Sequence, residues 1–211
     1  MGKNLLVTVT AEDRDDLRAI ADDITIPSWP EFMLNDAVAS KYWYRLYETF
    51  PEYQFVLMNP HDGKIPVASN CVPLAWDGSP EELPDEGWDW ALTQAFEDSD
   101  RNRKPSVLCA LQIVIRKEDR RRGLSAAAVN AMKDIARRHG LKRMIAPVRP
   151  NLKSLYPLTP MEHYIQWLGD DGLPFDNWLR VHARLGAQII KVCPQAMHIS
   201  GTVADWEKWA G

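Results

Sequence analysis

Little in this chain could be cross-linked. Cys71, Cys109 and Cys193 stand far apart, odd in number and without a CxxC spacing. A disulfide framework and a zinc site are therefore not expected, and Cys109, inside an apolar run, reads as a small buried hydrophobe. His163 and His198 show no metal-ligand spacing, so no metal is expected. No run of about 18 apolar residues is present, which argues against a membrane span. The opening MGKNLLVTVTAEDRDD has neither the apolar core nor the cleavage site of a signal peptide, so a cytoplasmic protein is expected. There is no internal repeat, low-complexity tract or obvious linker. The P-loop pattern and the dinucleotide fingerprint are both missing, which excludes those two nucleotide sites.

What is present is unevenly spread. The 211 residues are 45% hydrophobic and 26% charged, with a net charge of −4, enough for one ordinary globular domain with insertions. Residues 1–100 hold 6 basic and 20 acidic side chains, residues 101–153 hold 15 and 3, and residues 154–211 hold 4 and 6. A basic middle inside an acidic chain suggests an anionic ligand bound locally, although part of it reads as a solvated helix face. No aromatic residue occurs between Phe96 and Tyr156, whereas all nine tryptophans lie outside that gap. The split suggests an aliphatic, basic cofactor core flanked by aromatic segments that could shape a second pocket.

Residues 5–10 read as a strand. Thr10 and Asp13 resemble a capping box opening a helix to about Asp23, and residues 35–50 suggest an apolar helix. QFVLMNP and IPVASNCVPLAW, joined by the turn signal Asn59–Gly63, read as a hairpin. Residues 77–105 look like a polar insertion holding a short helix from Trp88 to Phe96. VLCALQIVI, residues 107–115, fits a strand covered on both faces in the middle of a sheet. Leu124, Ala127, Ala128, Ala131, Met132, Ile135 and Ala136 lie on one 3.6-residue stripe, the clearest helix of the chain. Gly140 is placed to end it, and residues 143–148 read as the next strand.

Arg116 to Ala126 join strand to helix. The first turn of a helix has amides without intrahelical partners, and its dipole favours negative charge. Gly123 lets a ligand approach the backbone, and Arg120, Arg121 and Arg122 add positive charge, as a phosphate site requires.

Arg120-x-x-Gly123-x-Ser125, after an apolar strand and opening an alanine-rich helix, resembles the R/Q-x-x-G-x-G/A signature of the GNAT acyltransferase superfamily, with Ser125 standing where the family has Gly or Ala. The resemblance implies a mixed, mostly antiparallel α/β sheet flanked by helices, as a single domain over residues 1–211 with insertions near 77–105 and 152–176. It also implies binding of acetyl-CoA as co-substrate. Amides of Arg121, Arg122, Gly123, Leu124, Ser125 and Ala126 would hold the pyrophosphate, Ile113, Val114 and Ile115 would align the pantetheine arm, and Asn151 is a further candidate contact. One of the strand amides would polarise the thioester carbonyl. Residues 182–187 are similar to the family's last-helix segment, with His182 at the tyrosine's place, and residues 187–203 would supply the closing pair of strands. His182 and Tyr156 are the rival candidates for acid or base. With no activated nucleophile visible, transfer to an amine of a small acceptor is expected to be direct. The acidic cluster Glu81, Glu82, Asp85, Glu86 and Asp89 is compatible with a cationic amine, though it also reads as a solvated loop. A non-catalytic acyl-CoA binder on the same fold is the first alternative. A nucleic-acid binder is the second, opposed by the acidic remainder and by the lack of aromatics among the basic residues. No nucleic-acid or membrane partner is expected, and a homodimer is compatible with the chain.

Overall fold

The computed structural model describes residues 6–210, so Leu5 of the first expected strand lies outside the described residues. Strands β1 (Val7–Thr10), β2 (Gln54–Met58), β3 (Val67–Leu74), β4 (Val107–Ile115) and β5 (Arg143–Ile145) form one sheet in the order β1-β2-β3-β4-β5. The first four are antiparallel and β5 is parallel to β4. Helices α1 (Leu17–Thr25), α2 (Ala37–Tyr42), α3 (Leu46–Thr49), α4 (Gly87–Asp100), α5 (Leu124–Arg138), α6 (Met161–Tyr164), α7 (Asn177–Arg184) and α8 (Val203–Ala210) surround it. None of the described helices is long and apolar enough to cross a membrane.

The best-formed elements are those with the strongest pattern. β4 follows its nine-residue apolar run, lies between β3 and β5, and buries Val107, Leu108 and Cys109 completely. α5 presents Ala128, Met132 and Ile135 to the core with no exposure and ends at Gly140, whose φ of +70° is left-handed. The hairpin of β2 and β3 is also present.

Four expectations are corrected. Thr10 and Asp13 do bond, the hydroxyl donating to the carboxylate at 2.8 Å, but they close a turn. The helix starts at Leu17, where the buried series Leu17, Ala21 and Ile24 begins. The helix expected over 35–50 is broken by a 3-10 turn at Trp43–Arg45. Consecutive aromatics there serve different neighbours: Tyr42 stacks on Phe96 at 4.7 Å and Trp43 on Trp88 at 5.8 Å. The helix expected as a short one over 88–96 runs 14 residues and packs Leu92, Ala95 and Phe96 in the core. The strand expected over 143–148 stops at Ile145.

The fifth difference shapes the site. Residues 187–203 form no strand pair; 187–202 are an extended strap without regular structure. The strap's backbone is used elsewhere. Asp89 N donates to Ala196 O at 3.0 Å, Gln195 N to Asp85 O at 3.1 Å, and His198 N to the Asp89 carboxylate at 3.0 Å. Asp89 N is one of the partnerless first-turn amides of α4, so the strap caps that helix. A side chain at Gly87 would press within 3.1 Å of Cys193 Cβ, so this close approach requires glycine.

Candidate active site

β4 is paired with β5 only over Val107–Cys109. From Ala110 to Ile115 its β5-facing edge has no strand partner among the described residues, so the two strands part and leave a groove. Opposite, β3 and β4 shift register at Asn70/Cys71, Asn70 facing Gln112 and Cys71 facing Ala110, which leaves Leu111 as a bulge. The Leu111 carbonyl accepts from Trp88 Nε1 at 3.0 Å. Bulges re-aim strands beside sites, and this one is held by a buried indole.

The groove continues into the loop before α5. Gly123 has φ +76° and Arg121 φ +63°, so the backbone turns through two left-handed residues and enters the helix with its amides outward, a concave anion-binding arrangement. Among the described residues, no group accepts a hydrogen bond from the amides of residues 121–126; Ala127 N, bonded to Gly123 O at 3.3 Å, is the first amide of α5 with a partner. A Cβ at Gly123 would meet nothing within 4 Å, so the space in front of the turn is open. The three arginines differ. Arg122 donates to the buried Asp119 carboxylate at 2.6 Å, which Lys64 also neutralises, so this side chain braces the loop. Arg120 and Arg121 are exposed and line the cleft with Ser125.

The whole cleft is about 2100 Å³, beyond the roughly 300–1,000 Å³ common for small-ligand pockets. Ile113, Val114, Ile115, Asn151 and His182 all line it. Tyr156 does not. It packs edge-on against Trp167 at 4.9 Å and Phe175 at 5.8 Å, in an aromatic cluster with Tyr164. That cluster is the small core of residues 152–176. Glu81, Glu82, Asp85 and Glu86 are exposed, and none of them, nor Asp89, lines the cleft. Among the described residues, no three His, Cys, Asp or Glu side chains gather where a metal ion could be held.

His182 is buried on α7, edge-on to Trp178 at 5.0 Å. Burial, and then the nearby Lys133 ammonium, hold its imidazole below the usual histidine range, which favours the neutral ring near pH 7. α7 is fixed by Asp176, which is 1% exposed. One Asp176 oxygen accepts from Trp178 N and Leu179 N, and the other from Leu152 N at 2.8 Å and Tyr164 OH at 3.0 Å. A single carboxylate thus caps α7 and ties the aromatic segment to it.

A polar ladder was missed from the sequence. Trp29 Nε1 donates to Gln112 Oε1 at 2.7 Å, Gln112 Nε2 to Asn70 Oδ1 at 3.2 Å, and Asn70 Nδ2 to Gln54 Oε1 at 3.0 Å. Gln54 Nε2 ends the chain on the Phe50 and Cys71 carbonyls. Every amide points the same way, an arrangement in which each bond polarises the next. The available signal was Gln112, the one polar residue of VLCALQIVI: a polar group inside a buried strand must find partners.

No family model matches the chain. It is 29% identical, over 198 residues, to the arginine N-acetyltransferase avaD of Aspergillus versicolor, covering 87% of this chain and 67% of that protein. Its fold matches the loading GNATL domain of CurA from Lyngbya majuscula with a TM-score of 0.66 at 22% identity, covering 92% of this chain and 93% of that one. The chain has the fold of the GNAT structures. A second GNAT-like structure, the GphF GNAT-like decarboxylase in complex with isobutyryl-CoA, matches with a TM-score of 0.61 at 18% identity over 92% of this chain and 95% of that one. The mixed, mostly antiparallel sheet is the arrangement of these GNAT structures, here with no regular strand after α7 among the described residues.

Proposed function

We propose that this chain is a GNAT acyltransferase that transfers an acetyl or short acyl group from its CoA thioester to an amine of a small acceptor by direct attack. The observation that carries the reading is the junction of the open β4 edge with six partnerless amides at residues 121–126. Such amides bind phosphate oxygens without a dedicated side chain, and the free edge offers a pantetheine arm a strand to follow. Arg120, Arg121 and Ser125 surround the phosphate end, with Asn151 as a further contact. The relative named for arginine N-acetylation supports the same chemistry, and the neighbour bound to isobutyryl-CoA supports an acyl-CoA ligand.

The acyl-CoA supplies the activated carbonyl. An amide among Ile113, Val114 and Ile115 stabilises the oxyanion that develops as the amine nitrogen attacks. The carbon–sulfur bond then breaks, its electron pair stays on sulfur, and the thiolate takes a proton from solvent, to which His182 later returns the one it has taken from the nitrogen. His182 takes the proton lost by the nitrogen, because a buried neutral imidazole is a base already in the right form. Tyr156, held in the aromatic cluster, acts in this reading as a support for α7.

Titration calorimetry with acetyl-CoA, with CoA and ATP as controls, tests the first half. Micromolar affinity for acetyl-CoA, followed by thiol release in the presence of amines, is expected. Binding without turnover on any amine leaves a non-catalytic acyl-CoA binder. No binding by the folded protein refutes the assignment.

A further inference from the structure

The lining of the cleft is of two chemical kinds. Arg120 and Arg121 make it basic at the loop before α5, whereas Lys191 on the strap is paired with Asp85 and Arg143 donates to the Trp76 carbonyl. Toward the segment 26–44, the start of α4 and the strap the cleft is walled by Trp29, Phe32, Met33, Trp43, Trp88 and Trp90. Of the described residues that line it, only Asp22 and Glu162 are acidic, against six lysines and arginines. Asp22 is itself paired with Arg18 at 3.8 Å, and Glu162 is exposed on α6. A small, strongly hydrophilic polycation would therefore find little to neutralise it.

The tryptophans are also committed in a particular way. Trp88 spends its indole N–H on the Leu111 carbonyl, and Trp29 spends its own on Gln112. With those donors used by the frame, what remains for a ligand is ring surface, half-buried at Trp29 and limited at Trp88, which is 9% exposed. Trp43 stacks on Trp88 at 5.8 Å and 26°, and this pair packs with the main core, whereas Trp29 packs with the separate cluster around Leu17, Ala21 and Ile24. The polar group beside them is Gln112. One Nε2 hydrogen goes to Asn70, and among the described residues none accepts the other, since an amide has two to give. Rigid ring faces with one convergent donor are how a pocket selects an apolar body and fixes its orientation.

We infer that the acceptor is an amine carried on an aromatic or comparably large apolar body, which lies against Trp29, Trp43 and Trp88 and is oriented by Gln112. The inference rests on the acyl-transfer reading for the amine, and on the lining of the cleft alone for the body.

The test uses the purified full chain with acetyl-CoA and four amines: 2-phenylethylamine, tryptamine, putrescine and L-arginine. Thiol release reports turnover, and saturation-transfer NMR reports binding. The arylalkylamines are expected to show kcat/KM at least about tenfold above the two polar amines, the value of one or two ring contacts. Trp43→Ala is expected to erase that preference while leaving the Kd for acetyl-CoA unchanged. If this variant also loses acetyl-CoA and is unfolded, the preference of the unsubstituted protein decides. Equal or faster turnover of arginine or putrescine overturns the inference and leaves acyl transfer standing. Arylalkylamine binding without thiol release from any amine keeps the ligand class and overturns acyl transfer. Absence of arylalkylamine binding overturns the inference.

Discussion

The two ends of α5 provide a matched pair for testing the phosphate site. Gly123 (φ +76°) precedes the helix and Gly140 (φ +70°) follows it, and a Cβ at either would meet nothing within 4 Å. Glutamate at either position carries the same backbone strain, about 1–2 kcal/mol for an L-residue held left-handed. At about 2–4 °C per kcal/mol for a chain of this size, both variants should melt roughly 2–8 °C lower. Their ligand effects should differ sharply. Gly123→Glu puts a side chain and a negative charge in front of the partnerless amides of residues 121–126. A like charge about 4 Å away costs about 1 kcal/mol in water and about 4 kcal/mol near a protein surface. At an open turn the penalty should be about 2–4 kcal/mol, a loss of roughly 30- to 700-fold in acetyl-CoA affinity. Gly140→Glu lies beyond the far end of a 15-residue helix, about 22 Å away at 1.5 Å per residue, and should bind as the unsubstituted protein does. Calorimetry on the three proteins, with melting curves beside it, reads both quantities. Equal affinities for the two variants would refute the placement of the phosphates at this turn.

Lys133→Met should raise the pKa of His182 by removing the charge that helps depress it. If neutral His182 is the base, the acidic limb of kcat/KM should move to higher pH in this variant, and an unmoved limb would remove His182 from the reaction. The same depression predicts stability: above about pH 6.5 the imidazole is neutral in both states, whereas below it the unfolded chain takes up the proton first. His182→Gln should therefore lose less stability than the unsubstituted protein as pH falls from 6.5 toward 5, measured by denaturant midpoint. Asp176→Ala should cost about 3 kcal/mol, one helix cap plus a buried tyrosine hydroxyl and amide left without partners; a melting shift under about 2 °C would show that the carboxylate is not the clamp described. In native protein a thiol reagent should modify Cys193 alone, since Cys71 and Cys109 have no exposure and burial raises both their pKa values, whereas three thiols should react in denaturant. More than one native thiol would contradict this packing.

What could be read from the sequence was what local physics dictates. The β4 run, the α5 stripe and the arginine-glycine loop between them depend on near neighbours in the chain, and the structure places each within a residue or two of its expected bounds. Residues 187–203 were misread because β propensity reports a fit to a pleated surface and not the presence of a partner. Gln188, Ile189, Ile190 and Val192 look like a strand, but the backbone beyond them is held by Asp85 and Asp89, about a hundred residues earlier. The start of α1 was missed for a related reason: a side-chain turn at Thr10 and Asp13 satisfies its own bonds locally without committing the next residues to a helix.

The polar ladder shows why the acceptor half was the harder one to see. Gln54, Asn70 and Gln112 are cross-strand partners on three strands, so nothing in the chain order brings them together. Each is costly where it sits: a buried carboxamide without partners loses about 1–3 kcal/mol. Three in one row persist because each satisfies the next, and the row needs a donor at its open end. Trp29 supplies that donor from the 26–35 segment. The sheet and the acceptor wall are thereby joined through a bond that no apolar substitute for Gln112 could make. Gln112→Leu, close in volume, should remove the anchor of Trp29 and leave the Asn70 carboxamide short of a partner, whereas Gln112→Glu keeps an acceptor for the indole and faces the Asn70 carbonyl with a carboxylate. If the ladder positions the wall, both variants should raise KM for the acceptor several-fold and leave acetyl-CoA affinity alone. A fall in acetyl-CoA affinity with unchanged acceptor KM would instead place Gln112 on the cofactor side of the cleft.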